Sequence, residues 1–569
     1  MKKYIIKSIF TIILSVAFLF NCISCTIQNT DTSSSEESSS EEPDVITTTG
    51  MTFSEKSRTL TKKILTSFPV TVKVRFNLPV STEESPVYGV LFSNSIYWGP
   101  HLQYQINSKG NPCINIGRLE RSGELIYNAS KTYTFDKVTV ATGEDIELYF
   151  VTDVENKEFH CYLNGSLAQS ITDVKNLTSE CYSLNPFVVG GSTVGGNYNY
   201  FRGEIYDISV WSDTRTPKEI LDDYNGAEQT ESDALMAEYE FLGSLSKKVL
   251  LDTTGNGYDL KTERLWLEKS EVEDAKGDYS FAVVGDTQSL QKYHPEKMTN
   301  LYDWLVANKD TFNIKYVMGV GDISEDATEA EFNFAKQNIY KLSGQIPFSL
   351  VMGNHDKYDF KEQGYIPSDP RDFLFNKTFY NQTYLSELDG WYGDGDLSCS
   401  YNAFEAGNTK WLLMNLDFGP TDQMLAWAKN VIDAHADHKV IIITHAYLYR
   451  NGTTLDDGEC YAPSRYTPVF NDGDQIFDKL VSQCENVKLV IAGHDPHDHI
   501  VCTQVEGKNG NKVTQLLIDP QYMDAFYGAT GMVALLHFDE ANNEMTVRYY
   551  STAKDMYGSE NSQFKVKLD

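Results

Sequence analysis

Positive charge is what this 569-residue sequence has least of. Its 48 lysines and arginines stand against 80 aspartates and glutamates, a formal net charge of −32. So acidic a surface repels phosphate backbones, and no nucleic-acid partner is expected. An anionic substrate would need a local positive centre, and a bound metal is the simplest one. Cysteine is also scarce. The seven residues after Cys25 (113, 161, 181, 399, 460, 484 and 502) are odd in number and irregular in spacing, which rules out a disulfide framework and leaves open a single bridge such as Cys161–Cys181. The N-terminal apolar run, Ile9 to Phe20, is too short for a comfortable membrane span. The composition is otherwise ordinary, 41% apolar and 12% aromatic. The length is too great for one core and predicts two folded domains.

The opening "MKKYIIKSIFTIILSVAFLFNCISC" places lysines before the apolar run and small or polar residues after it. Residues 1–25 therefore read as an export signal. Ser24-Cys25 resembles a bacterial lipoprotein cleavage site, although Cys22 stands where Leu is usual. Two outcomes stay open: a cell-envelope lipoprotein touching the membrane only through a lipid anchor, or a cleaved, secreted or periplasmic protein. Residues 26–60 contain "QNTDTSSSEESSSEEP", which has almost nothing to bury and predicts a disordered tether.

Residues 61–268 read as all-β. Short runs such as "VTVKVRFNL", "IELYFVTD" and "EFHCYLNG" are separated by Gly, Asn and Asp turns, and "TPKEILDDY" is the one convincing helix. This predicts a two-sheet sandwich. The segments "FRGEIYDISVWS", "TRTPKEI", "CYLNGSL" and "LLDTTGNGYDL" resemble laminin-G-like, concanavalin-A-type jelly rolls. That resemblance implies a glycan or surface protein as partner, or a packing domain, and transfers no site residue.

Residues 277–569 change character. Apolar strands alternate with helical stretches, an α/β layout whose ligands belong at the carboxyl ends of strands. Five strand ends finish in metal-ligating types: "AVVGDTQ" (Asp286, Gln288), "VMGVGDISED" (Asp322), "LVMGNHDKY" (Asn354, His355, Asp356), "VIIITHAY" (His445) and "LVIAGHDPHDH" (His494, His497, His499). One such Asp is usually a helix cap and one such His usually a core residue, but five in sequence are hard to reach that way. "LDFGPTDQMLAWAKNVI" reads as a strand end and a helix capped by Thr421 or Asp422.

The order and spacing of these motifs resemble the calcineurin-like metallophosphoesterases, with "GNHD" the most specific piece. The resemblance implies an αββα-type sandwich behind the jelly roll, and two divalent ions (Mn, Fe, Zn, Mg or Ca) bridged by Asp322. One ion would be completed by Asn354, His445 and His494, the other by Asp286, Gln288 and a last His. His355 would contact the phosphoryl group or protonate the leaving alkoxide, with Asp356 orienting it. The chemistry suits such a pair, because a phosphoester dianion repels hydroxide and two cations both neutralise it and activate a water.

Two departures fall on the same metal. Gln288 stands where the family has His, and Pro496 occupies the register of the second His of the last motif. That site should be weaker and shift toward Mn, Mg or Ca. A bulge could return His497 or His499 to it, or neither could be a ligand. The chain reads as an exported metal-dependent hydrolase of a phosphomonoester or phosphodiester. The alternative is a surface glycan- or protein-binding protein with a degenerate phosphoesterase domain.

Overall fold

Strands with one apolar face pack as two layers in the first half of the chain. Thr71–Asn77 shows the pattern, with Val72, Val74 and Phe76 buried and Arg75 exposed. The computed structural model describes residues 51–569 except 54–56, 65–69, 81–88, 94–101, 117–130, 175–176, 178–185, 192–200, 228–232, 242–248, 265, 276, 358–369, 460, 522, 524–528 and 569. The predicted export signal, Cys25, the Ser/Glu run, Cys181 and Cys460 lie outside the described residues. Cys161 is a free, buried thiol.

One sheet runs Met51–Phe53, Gly203–Trp211, Thr71–Asn77, Asp145–Asp153, Glu158–Leu163, Ser166–Ile171, with Leu235–Glu240 also paired to Gly203–Trp211. The other runs Val249–Leu250, Leu260–Arg264, Ser57–Ile64, Pro186–Val189, Gly89–Ser93, Leu102–Ile106, Pro112–Ile116, Lys131–Thr134. Phe76, Phe150 and Ile208 of the first share one core with Phe92, Tyr104 and Ile114 of the second. Tyr104 and Phe150 meet across the layers with ring centroids 5.0 Å apart. The sandwich begins earlier than the sequence suggested. Strand Met51–Phe53 and the first four residues of Ser57–Ile64 fall inside the expected tether, because pairing with Gly203–Trp211 and Leu260–Arg264 orders a stretch whose own composition is too polar to announce a strand. The expected helix is Pro217–Tyr224, held by a capping box between Thr216 and Glu219.

The second half is a second sandwich, now covered by helices. Its first sheet is ordered Phe348–Ser349, Ile314–Gly319, Tyr279–Val284, Met532–Asp539, Glu544–Ser551, Met556–Tyr557, with Gln563–Lys567 also on Glu544–Ser551. Its second is ordered Gly390–Gly393, Asp396–Ala406, Thr409–Leu416, Lys439–Thr444, Val487–Ala492, Lys512–Leu517, Val501–Glu506. The central strands here are apolar on both faces, as burial on both sides requires. Tyr279, Phe281 and Val283 face Leu413, Ile441, Ile443, Leu489 and Ile491 between the sheets. Ala282 and Val284 turn outward to Met298, Leu301 and Leu305 of helix Pro295–Asn308. Leu412, Met414 and Ile442 turn the other way, to Leu425, Ala428 and Ile432 of helix Asp422–Ala434. Thr421 caps that helix by accepting from Met424 N–H at 3.3 Å. The result is the αββα arrangement.

Within the compact unit Thr48–Asp569 the two halves are joined by backbone. Leu267 and Tyr557 exchange N–H···O bonds of 2.9 Å, and Arg264 pairs with Glu560. Among the described residues no helix is long and apolar enough to cross a membrane.

Candidate metal centre

Parallel pairing puts the carboxyl ends of the central strands side by side, and the turns after them carry the polar residues. Asp322 follows strand Ile314–Gly319 and lies with φ +47°, while His494 follows Val487–Ala492 with φ +72°. Left-handed backbone at a residue with a side chain costs about 1–3 kcal/mol and persists where the surroundings impose it. Here they do. The Asp322 carbonyl accepts Thr287 N–H at 3.0 Å and Gln288 N–H at 2.9 Å, and His494 N–H donates to Asp286 Oδ2 at 3.0 Å. Gly493 is required beside it, since a Cβ there would overlap Asp286 Oδ1.

Four electron-pair donors converge on one point. His445 Nε2 lies 3.0 Å from Asn354 Oδ1, 3.3 Å from Asp322 Oδ1 and 3.2 Å from His494 Nδ1. The other nitrogen of each ring is committed to a carbonyl: His445 Nδ1 to Val320 at 2.9 Å and His494 Nε2 to Tyr461 at 2.8 Å. Those bonds fix the tautomers and aim the remaining lone pairs inward, as the carbonyl partners of metal-bound histidines do. A cluster of acceptors with no hydrogen between them suits a cation. The donor set therefore fits a metal, and Asp322, His445 and His494 are one of two residue groups of that kind among the described residues. Burial lowers the His494 pKa to about 3, helped by the neighbouring His445. Burial acts the same way on His445, but the Asp322 carboxylate outweighs it and holds that imidazole above its ordinary value. Burial raises Asp322, and the imidazoles of His445, His355 and His494 more than reverse it.

The second half of the centre is built of oxygen. Gln288 opens helix Gln288–Tyr293, and its Nε2 donates to Asp322 Oδ2 at 2.9 Å. Its Oε1 is buried without a hydrogen-bond partner, as is Asp286 Oδ1. Asp286 Oδ2 is 4.0 Å from His445 Nε2, so the two halves adjoin.

Two sequence-predicted residues take other roles. The carboxylate of Asp356 does not orient His355. It accepts from Gly353 N–H at 2.9 Å, Ser324 N–H at 2.9 Å, Ser324 Oγ–H at 3.0 Å and Ile323 N–H at 3.0 Å, tying the Gly-Asn-His-Asp turn to the Asp322 turn. The Glu325 carbonyl positions His355 instead, 2.8 Å from Nδ1. His497 is not brought to the centre. Its N–H donates to the Asp519 carbonyl at 3.0 Å, its Nδ1 lies 3.2 Å from Asp498 Oδ1, and its ring centroid is 4.0 Å from that of His499. His497, Asp498 and His499 form the other candidate group. Pro496 has no side-chain donor, and the two rings gather on the Asp498 carboxylate. Arg450 braces the His494 loop from outside, through a buried ion pair with Asp495 and a bond to Tyr461 Oη of 2.9 Å.

Comparison with known proteins agrees with this layout. Residues 279–498 match the family model for calcineurin-like phosphoesterases, and residues 54–221 match the concanavalin A-like lectin/glucanase superfamily. The chain carries a concanavalin A-like domain followed by a calcineurin-like phosphoesterase domain. Over 323 residues it is 27% identical to the uncharacterized protein YvnB of Bacillus subtilis (strain 168), a match covering 53% of this chain and 22% of that one. The chain thus spans about a fifth of the length of that curated relative. Among solved structures, a putative carbohydrate-binding protein from Bacteroides ovatus is similar at 15% identity and TM-score 0.29, covering 38% of this chain and 57% of that one. GAP50, described as the anchor in the inner membrane complex of Plasmodium, is similar at 14% identity and TM-score 0.30, covering 51% and 88%. These are distant resemblances.

Sequence reasoning missed Asp519. It follows strand Lys512–Leu517, which lies parallel beside Val487–Ala492, and its carboxyl group meets that of Asp286. The signal was present: "TQLLIDPQ" is a sixth apolar run ending in an acid.

Proposed function

We propose that this protein is an exported, metal-dependent hydrolase of a phosphomonoester or phosphodiester. The observation that carries the reading is the convergence of Asp322, Asn354, His445 and His494 on one point, with every other polar atom of both imidazoles already bonded. These four would hold one cation. Asp286, Gln288 and the far oxygen of Asp322 would hold part of another. Bound there, such a pair supplies charge neutralisation at the phosphoryl oxygens and a lowered pKa for the attacking water. The chain's own residues do the rest. Asp322 sets the spacing of the halves, because one carboxylate faces both and its turn is bonded to both motifs. His355 is half-buried at the rim, and with Nδ1 held by Glu325 its Nε2 is the atom that can hand a proton to the departing alkoxide. Asp356 keeps His355 and Asn354 on a rigid turn.

The test is a panel of monoester, diester and pyrophosphate substrates, each assayed with Mn²⁺, Mg²⁺, Ca²⁺ and Zn²⁺. Hydrolysis in at least one pairing is expected. No hydrolysis in any, with glycan binding retained, would favour the surface-binding alternative.

Export and targeting complete the proposal. The basic, apolar and small-residue order of residues 1–25 supports export, with Cys25 as the lipidation candidate. Fatty-acid labelling of wild type against Cys25→Ala separates an anchored from a released protein. The concanavalin A-like domain supports a glycan-targeting role, which a glycan array would test.

A further inference from the structure

The carboxyl groups of Asp286 and Asp519 lie within hydrogen-bonding reach of each other, and both side chains are buried, at 2% and 1% exposure. Two ionised carboxylates have no proton to donate, so a buried pair must share a proton or hold a cation. Three observations favour the cation. Gln288 Oε1 and Asp286 Oδ1 are both buried without a hydrogen-bond partner. The Asp519 carboxylate is held in place from behind, Oδ1 accepting Gln521 N–H at 3.0 Å and Oδ2 accepting Gln521 Nε2 at 3.2 Å. The pair also adjoins the nitrogen-rich cluster, with Asp286 Oδ2 4.0 Å from His445 Nε2. The approach is built into the backbone: Ile518 N–H donates to the Ala492 carbonyl at 2.8 Å, and a Cβ on Gly285 would run into Pro520. Asp519 lies beyond the segment 279–498 that the phosphoesterase family model matches.

We propose that Asp519 takes the place of the imidazole displaced by Pro496. Asp286, Gln288, Asp322 and Asp519 then form an all-oxygen cation site selective for Mn²⁺, Mg²⁺ or Ca²⁺ over Zn²⁺. The inference rests on reading the centre as a two-cation site. Hard carboxylate and amide oxygens suit hard cations, whereas His445 and His494 next door suit zinc or iron. The negative charge of the carboxylates would offset the weaker donor strength of an amide oxygen in place of an imidazole.

The test is equilibrium dialysis and metal analysis of the full chain with Mn²⁺, and with Zn²⁺ as competitor, for wild type, Asp519→Asn and Asp519→Glu. Wild type should hold two Mn²⁺ per chain. Asp519→Asn should hold one, the second binding at least about 10-fold more weakly, the lower end of what outer-shell changes alone cause. Melting of the metal-free proteins confirms folding: Asp519→Asn should melt as cooperatively as wild type, yet gain less on adding Mn²⁺. Two Mn²⁺ per chain in Asp519→Asn, with affinity within about twofold of wild type, overturns the proposal and leaves the two-cation reading standing. One Mn²⁺ in both proteins also overturns it, making the pair a shared-proton contact. No metal in wild type sinks the two-cation reading itself.

Discussion

Nε2 of His445 lies 3.2 Å from Nδ1 of His494, and the opposite nitrogen of each ring is spent on a backbone carbonyl. Two lone pairs held face to face repel unless a proton or a cation sits between them. Burial disfavours the charged form of His445, but the Asp322 carboxylate outweighs it and raises that imidazole's proton affinity, so a proton and a cation compete for this point. Metal binding should therefore release a proton, seen as a buffer-dependent heat in calorimetry at about pH 7. His494→Ala should remove the tightly held cation, so that dialysed protein retains about one metal per chain fewer than wild type. Equal metal content in the two proteins would exclude His494 as a ligand.

Gln288→His should restore a nitrogen donor to the oxygen half. The expected outcome is tighter zinc binding there and a shift of metal preference away from manganese. Unchanged affinity and preference would mean that Gln288 faces Asp322 as a hydrogen-bond donor only, as its 2.9 Å bond from Nε2 would permit.

His355→Asn should lower kcat by about 10²–10⁴-fold on substrates with poor leaving groups, with metal content unchanged. The loss should shrink for activated esters whose leaving group needs no proton. A loss of the same size on both kinds of substrate would point to binding of the phosphoryl group instead.

Asp356→Ala should act through stability. It strips partners from the buried N–H groups of Gly353, Ile323 and Ser324, each left unsatisfied at about 1–3 kcal/mol. Urea melts should show a loss of several kcal/mol, and metal affinity should fall with it because Asn354 rides on the same turn. A fully stable Asp356→Ala variant would contradict this placement.

His537 predicts an acid limit remote from the metal centre. Its Nδ1 lies 2.6 Å from Ser280 Oγ between adjacent strands, and burial, aided by Arg548, lowers its pKa from 6.5 to about 4. A depressed folded-state pKa means that the unfolded chain binds the proton more readily. The associated stability is intact above about pH 6.5 and lost progressively as pH falls toward 4, by roughly 3 kcal/mol at most. His537→Gln should flatten that part of the stability profile measured by urea melts.

The strand-end motifs were legible in the sequence because their signals are local. A strand buried on both faces reads as an unbroken apolar run, and the turn after it announces itself by Gly with Asp, Asn or His. That is why the sequence alone singles out Asp286, Asp322, Asn354, His445 and His494, and offers Thr421 as a cap. The start of the sandwich was hidden because Met51–Phe53 and Ser57–Ile64 owe their order to partners far along the chain. Tertiary structure alone decided what each polar atom does. Asp356 follows His355 directly, which suggests that it serves that ring, yet packing turns its carboxylate onto the Asp322 turn. His497 stands where a bulge could have returned it, but its N–H is taken by the Asp519 carbonyl and its ring by Asp498. Asp519 itself becomes visible only when Lys512–Leu517 pairs beside Val487–Ala492. Residue type and spacing determine which atoms are available to bind, and the long-range pairing of strands determines which of them are left facing one another.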